Sequence, residues 1–111
     1  MKRLIIIAAL CSASPAEGRE VANDDGKEIL SLCESSYDFS KGMCLGYVRG
    51  IATTTDILMQ MNDRHLCFPK SVTVGQMRDV VIAYIRRNPA QRHEGATLLY
   101  MRAINEAWPC K

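Results

Sequence analysis

Apolar residues recur along most of this chain at three- and four-residue intervals, the period of helices that bury one side. Ile29, Leu32 and Cys33 share one face of a short first helix, which the Ser35-Ser36-Tyr37-Asp38-Phe39 stretch interrupts. Small polar side chains there compete with the helix backbone for hydrogen bonds. A second helix is expected from Ser40, which can cap it, to about Asp63, with Cys44, Tyr47, Val48, Ile51, Thr55 and Leu58 on one stripe. Thr73 opens a third, because Thr73 and Gln76 have the spacing of a capping box. Met77, Val80, Val81, Tyr84 and Ile85 form its apolar face. Asn88-Pro89 ends that helix and starts a fourth, Asn88 as cap and Pro89 in the first turn. This last helix carries Ala96, Leu99, Tyr100, Ala103, Ile104 and Ala107 inward, with Gly95 as a point of kinking. The only period-two alternation, Val72-Thr73-Val74, is better explained by the capping box. The expected fold class is all-α, a small bundle of about four helices.

A second stripe on the second helix is made of glycine. Gly42, Gly46 and Gly50 stand at four-residue intervals, continued by Thr54. Each helical glycine costs up to about 1 kcal/mol relative to alanine. Three in a line predict close approach of another backbone, with a neighbouring helix of the same fold as the first reading and a dimer seam as the other.

The N-terminus changes how the cysteines are read. Lys2 and Arg3, the apolar run Leu4 to Leu10, and Ser14-Pro15-Ala16 have the layout of a cleavable export signal over residues 1–16. The run is shorter than the roughly 20 residues of a membrane span. Residues 17–26 are polar and read as a flexible mature N-terminus, leaving 27–111 as the folded domain. Export places the mature protein in an oxidising compartment, the periplasm, where thiols pair. Cys11 departs with the leader; Cys33, Cys44, Cys67 and Cys110 remain. Four cysteines allow three pairings. Helix geometry favours Cys33–Cys44 across the first turn. It also favours Cys67–Cys110, if a fourth helix of about 20 residues overshoots an antiparallel third one of about 15. Such staples suit a domain whose core alone gives marginal stability.

Charge excludes more than it suggests. The chain has 14 basic and 12 acidic residues, and loss of Lys2 and Arg3 leaves 12 of each. A neutral mature chain offers no general attraction for nucleic acid or an anionic membrane. Catalytic signals are also missing. His65 stands two residues from Cys67, but an exported cysteine with available mates is first a disulfide partner, and these two supply only half of a structural zinc set. Neither a cofactor nor a metal is expected, and the chain does not read as an enzyme. Two segments could instead meet a protein partner: Asp63, Arg64 and His65 in the Asn62–Lys70 connector, and Arg87, Arg92 and His93 around the third turn. The arginines there also suit a helix C-terminus.

The order of several pieces adds what spacing cannot. Cys44-Leu45-Gly46-Tyr47-Val48-Arg49-Gly50 is followed by Cys67-Phe68-Pro69, Val72-Thr73-Val74-Gly75-Gln76, Asn88-Pro89 and Ala107-Trp108-Pro109-Cys110. Over roughly residues 27–110 the chain resembles the Rap/Tai immunity protein family of bacterial type VI secretion. The resemblance implies a helical, disulfide-bonded periplasmic protein that binds a peptidoglycan amidase effector and blocks its active site, often as a homodimer. An orphan structural or holdase-like envelope protein is the competing reading, and a lipid-binding module a third.

Overall fold

The computed structural model describes residues 24–111; the expected leader and most of the polar lead lie outside the described residues. The elements are α1 (Gly26–Glu34), α2 (Asp38–Met61), α3 (Val74–Arg87) and α4 (Ala96–Ala107), with a 3-10 turn at Pro89–Gln91. Among the described residues the only β pairing is an isolated bridge between Asp25 and Gly95. The all-α expectation holds.

That bridge revises the start of the domain. The Asp25 carboxylate caps α1 by accepting from the N–H groups of Lys27 at 2.9 Å and Glu28 at 3.0 Å. The Gly26 N–H donates to the Glu94 carbonyl, Lys27 N–H to Arg92 and Ala96 N–H to Asp24, at 3.1, 3.2 and 2.8 Å. A Cβ on Gly26 would stand 2.6 Å from Leu99 Cδ1 and 3.0 Å from the Arg92 carbonyl oxygen, so only glycine fits this approach. Residues 24–26, whose composition suggests a flexible lead, are thus stitched into the fold through their backbone.

The same contacts shorten the fourth helix. It starts at Ala96, not at Pro89, with Gly95 extended at φ −63°, ψ 141°. The Ala96 N–H, the single donor a longer helix would give to the Arg92 carbonyl, goes to Asp24 instead, so helical pairing does not continue back through this segment. The second helix also begins earlier, at Asp38, and Ser40 lies inside its first turn instead of capping it. The Thr73–Gln76 capping box forms as the spacing predicts, with reciprocal bonds of 2.9 and 3.2 Å.

α3 and α4 supply most of the core. Met77, Val81, Tyr84 and Ile85 are buried against Leu99, Tyr100, Ala103 and Ile104, with Ile29 and Val48 arriving from α1 and α2. Ile82 is buried too, outside the expected stripe, because α1 covers a second flank of α3 near Cys33. Ala107 and Leu58 face solvent instead of the core.

The glycine stripe is the largest departure. Gly42, Gly46 and Gly50 are exposed, and a Cβ on any of them would meet nothing within 4 Å. Among the described residues no neighbouring helix closes on these positions; Gly46 and Gly50 only border open grooves towards α3 and α4, because α2 packs mainly through Cys44, Val48 and Thr55.

Both disulfides pair as expected, Cys33–Cys44 and Cys67–Cys110, with Cα separations of 5.0 and 5.1 Å. The route to the second differs from the overshoot picture. α4 has 12 residues, and the Arg87–Glu106 ion pair joins the last turns of α3 and α4. The tail after α4, with Trp108 on the core, reaches the connector at Cys67.

Candidate functional site

The α2–α3 connector is a short loop fixed at both ends. At the C-terminus of α2 the Asp63 N–H donates to the Gln60 carbonyl at 3.1 Å and Arg64 N–H to Met59 at 2.9 Å. This is the Schellman pattern, which needs a left-handed residue between the two donors and normally uses glycine. Here that residue is Asp63, with φ at 54°. Asparagine and aspartate tolerate this region better than other side chains, though still at a cost. Leu66 then anchors the connector in the core, Cys67 ties it to Cys110, and Thr73 closes it with the α3 cap.

Asp63, Arg64 and His65 are exposed on this framework. Among the described residues, none of their side chains makes a hydrogen bond or ion pair. Polar groups held in position without internal partners are available to another molecule.

The second expected segment has a different character. Arg92 donates from Nε to the Ile85 carbonyl at 3.0 Å and from Nη2 to Arg86 at 2.9 Å, capping the C-terminus of α3. Arg87 pairs with Glu106, Arg86 with Glu34, and Arg102 with Glu94. Gln91 accepts from the Tyr84 hydroxyl at 2.8 Å. These cations hold the turn together, and His93 alone of the expected contact residues there is exposed without a side-chain bond among the described residues. No bond joins this turn to the connector among the described residues.

Two features go beyond the helical reading, the first building on the expected Cys67–Cys110 pairing. His65 and Cys67 come together with Cys110, their ligand atoms all within 4.8 Å of one another, although Cys110 is 43 residues from Cys67. The second is the outward face of α2. Phe39 is 78% exposed, Met61 75%, and Met43, Ile57 and Leu58 about half. Phe39, Met43, Gly46, Gly50, Thr53 and Ile57 follow a 4-3-4-3-4 spacing, which is the signature of a helix seam. Gly46 and Gly50 belong to both this heptad and the glycine interval, so the two patterns overlap in the sequence.

Tyr47 marks the border between α2 and the start of the domain. Burial, then the charge of Asp24 and its hydrogen bond, push the phenol up to about 12. Elsewhere the described surface carries open grooves. The groove between α1 and α2, about 550 Å³, is lined by Ser31, Ser35 and Ser40 but by no histidine. No described helix is long and apolar enough to cross a membrane.

A family model described as Rap1a immunity proteins matches residues 25–110. The chain belongs to the Rap1a immunity protein family. Comparison with curated proteins and with solved structures gives no match. The Rap1a match runs from the α1 cap, Asp25, to Cys110, and so includes both bridges, the connector and the outward face of α2.

Proposed function

We propose that this Rap1a-family chain is a periplasmic immunity protein that neutralises a type VI secreted peptidoglycan amidase by covering its active site, with no chemistry of its own. Support comes from the family match and, above all, from the connector. Its cap, core anchor and disulfide fix an exposed loop whose Asp63, Arg64 and His65 side chains have no partners among the described residues. A loop already ordered loses less entropy on binding. The turn at Arg87–Glu94 is the weaker candidate, since Arg87 and Arg92 are engaged within the chain.

The test is inhibition of purified type VI amidases by the oxidised mature chain and by a variant with Asp63, Arg64 and His65 all changed to alanine. We expect stoichiometric inhibition by the native chain and at least a tenfold loss in the folded variant. Equal inhibition by both removes the connector. Failure against every amidase, together with acid-induced dye binding and holdase activity, favours the envelope-protein reading.

We assign the outward face of α2 to a second copy of this chain. The stripe is symmetric about Gly50: Phe39 and Met61 lie 11 residues to either side, Met43 and Ile57 seven, Gly46 and Thr54 four. An antiparallel copy on a two-fold axis at Gly50 therefore sets small residues against small where the helices cross. Bulky apolar ends meet where the helices diverge, which is the self-complementarity an isologous interface requires. Sedimentation should give a dimer for the native chain and a monomer for Gly50→Gln. A native monomer at all accessible concentrations refutes this seam.

A further inference from the structure

The two disulfides sit in opposite chemical settings. Cys33 lines a groove with Arg78, Asp79, Ile82 and Arg86, which offers no imidazole. Cys67 and Cys110 sit beside an imidazole instead, with the three donor atoms within 4.8 Å. Cys110 Sγ also lies 4.0 Å from the His65 carbonyl oxygen, so the tail rests directly on the histidine's backbone. We infer that, when the Cys67–Cys110 bond is reduced, His65, Cys67 and Cys110 form a binding site for a thiophilic divalent cation, zinc being the fitting class.

The donor set matches that chemistry. One imidazole nitrogen and two thiolates satisfy three of zinc's four positions, and bond lengths of about 2.3 Å to sulfur and about 2.0 Å to nitrogen place tetrahedral ligand atoms roughly 3.5 to 3.8 Å apart. Cys110 is exposed and lies beyond the end of α4, so its movement disturbs no helix. Leu66, buried between His65 and Cys67, keeps the connector half of the site in register. Two thiolates neutralise the dication, and a water can fill the remaining position.

The steps balance. A dithiol reductant delivers two electrons and two protons to the Cys67–Cys110 bond and leaves as its own disulfide. Zinc then displaces both thiol protons into solvent and binds as the dithiolate. The cation therefore cross-links the same two residues as the disulfide, adding His65, and keeps the tail on the connector when the bond is open. This inference rests on the geometry of the three donors and is independent of any effector.

Cobalt titration of the mature chain, reduced with a phosphine without oxygen, tests it. We expect one cobalt per chain with thiolate-to-cobalt charge-transfer absorption, and displacement of cobalt by zinc. His65→Ala, a change at an exposed position, should weaken binding at least tenfold, and Cys110→Ser should remove the charge-transfer band. In parallel, zinc should shift the His65 imidazole nitrogens in the NMR spectrum of the unsubstituted chain. Unshifted His65 nitrogens, or equal cobalt affinity in His65→Ala, would overturn the site. Zinc binding that depends on Cys33 and Cys44 instead would also overturn it.

Discussion

α4 and α2 use their residues in opposite ways. α4 has 12 residues and buries Ala96, Leu99, Tyr100, Ala103 and Ile104; α2 has 24 and buries only Cys44, Val48 and Thr55. α4 is held by packing on both sides of its apolar arc, and its burial accounts for its stability. α2 is twice as long, yet places Phe39, Met43, Ile57, Leu58 and Met61 in contact with solvent. A helix built only for the monomer's core would carry charge there. The difference separates a helix used almost wholly by the core from one that gives the core a single side.

The largest effect that can break this contrast comes from truncating equivalent apolar groups on the two helices. Ile104→Ala in α4, at a side chain with 0% exposure, should cost about 2 to 5 kcal/mol of unfolding free energy. Met61→Ala in α2 should change it by no more than about 0.5 kcal/mol. Chemical denaturation of both variants at a concentration that keeps the chain monomeric makes the comparison; equal losses would dissolve it.

Glycine gives the next contrast. Gly26→Ala drives a Cβ into Leu99 and the Arg92 carbonyl, and should destabilise by about 1 to 3 kcal/mol. Gly46→Ala, in open space on α2, should stabilise the monomer by up to about 1 kcal/mol and weaken the proposed seam. Denaturation and sedimentation of the same two proteins read both effects.

Thr55 sharpens the picture of the inner side of α2. Its hydroxyl is buried and has no hydrogen-bond partner among the described residues. Thr55→Val keeps the shape and removes the unsatisfied group, so a gain of about 1 kcal/mol is expected. A loss in thermal melts would mean that the hydroxyl has a bound partner.

The smallest effect lies in the alkaline limb. Tyr47 is raised to about 12 by burial and then by Asp24, and Tyr100 to about 12 by burial and then by Asp56. In both, the folded state retains the proton more strongly than the unfolded chain, whose phenols titrate near 10. Their contribution is therefore complete below pH 10 and declines as pH rises from 10 toward 12. Tyr47→Phe should flatten that decline in melting temperature between those values. An unchanged slope would show that Tyr47 is not coupled to folding.

Much of this fold was legible from local rules. The Thr73–Gln76 box, the apolar face of α3 and the inward residues of α4 up to Ile104 follow from side-chain period and capping chemistry. Such features require only residues three or four apart. The pairing of Cys33 with Cys44 was similarly accessible, because 11 residues and one turn separate them. Of the candidate site, Asp63, Arg64 and His65 were legible as a connector stiffened by Pro69 and a disulfide at Cys67, but the turn that fixes its start was not. The left-handed Asp63 that makes the Schellman turn has no glycine to announce it.

By itself the sequence determined four amphipathic segments, their order, and the four cysteines available for pairing, because periodicity and composition are properties of neighbouring residues. Only the tertiary structure decided where each face points. Backbone pairing of Asp24–Lys27 with Arg92–Ala96 cut α4 short, since the Ala96 N–H, given to the Asp24 carbonyl, has no second proton for the Arg92 carbonyl. Packing of α2 through a single side left its glycines in the open. Closure of the tail onto the connector placed Cys110 beside His65 across a separation that no local pattern encodes.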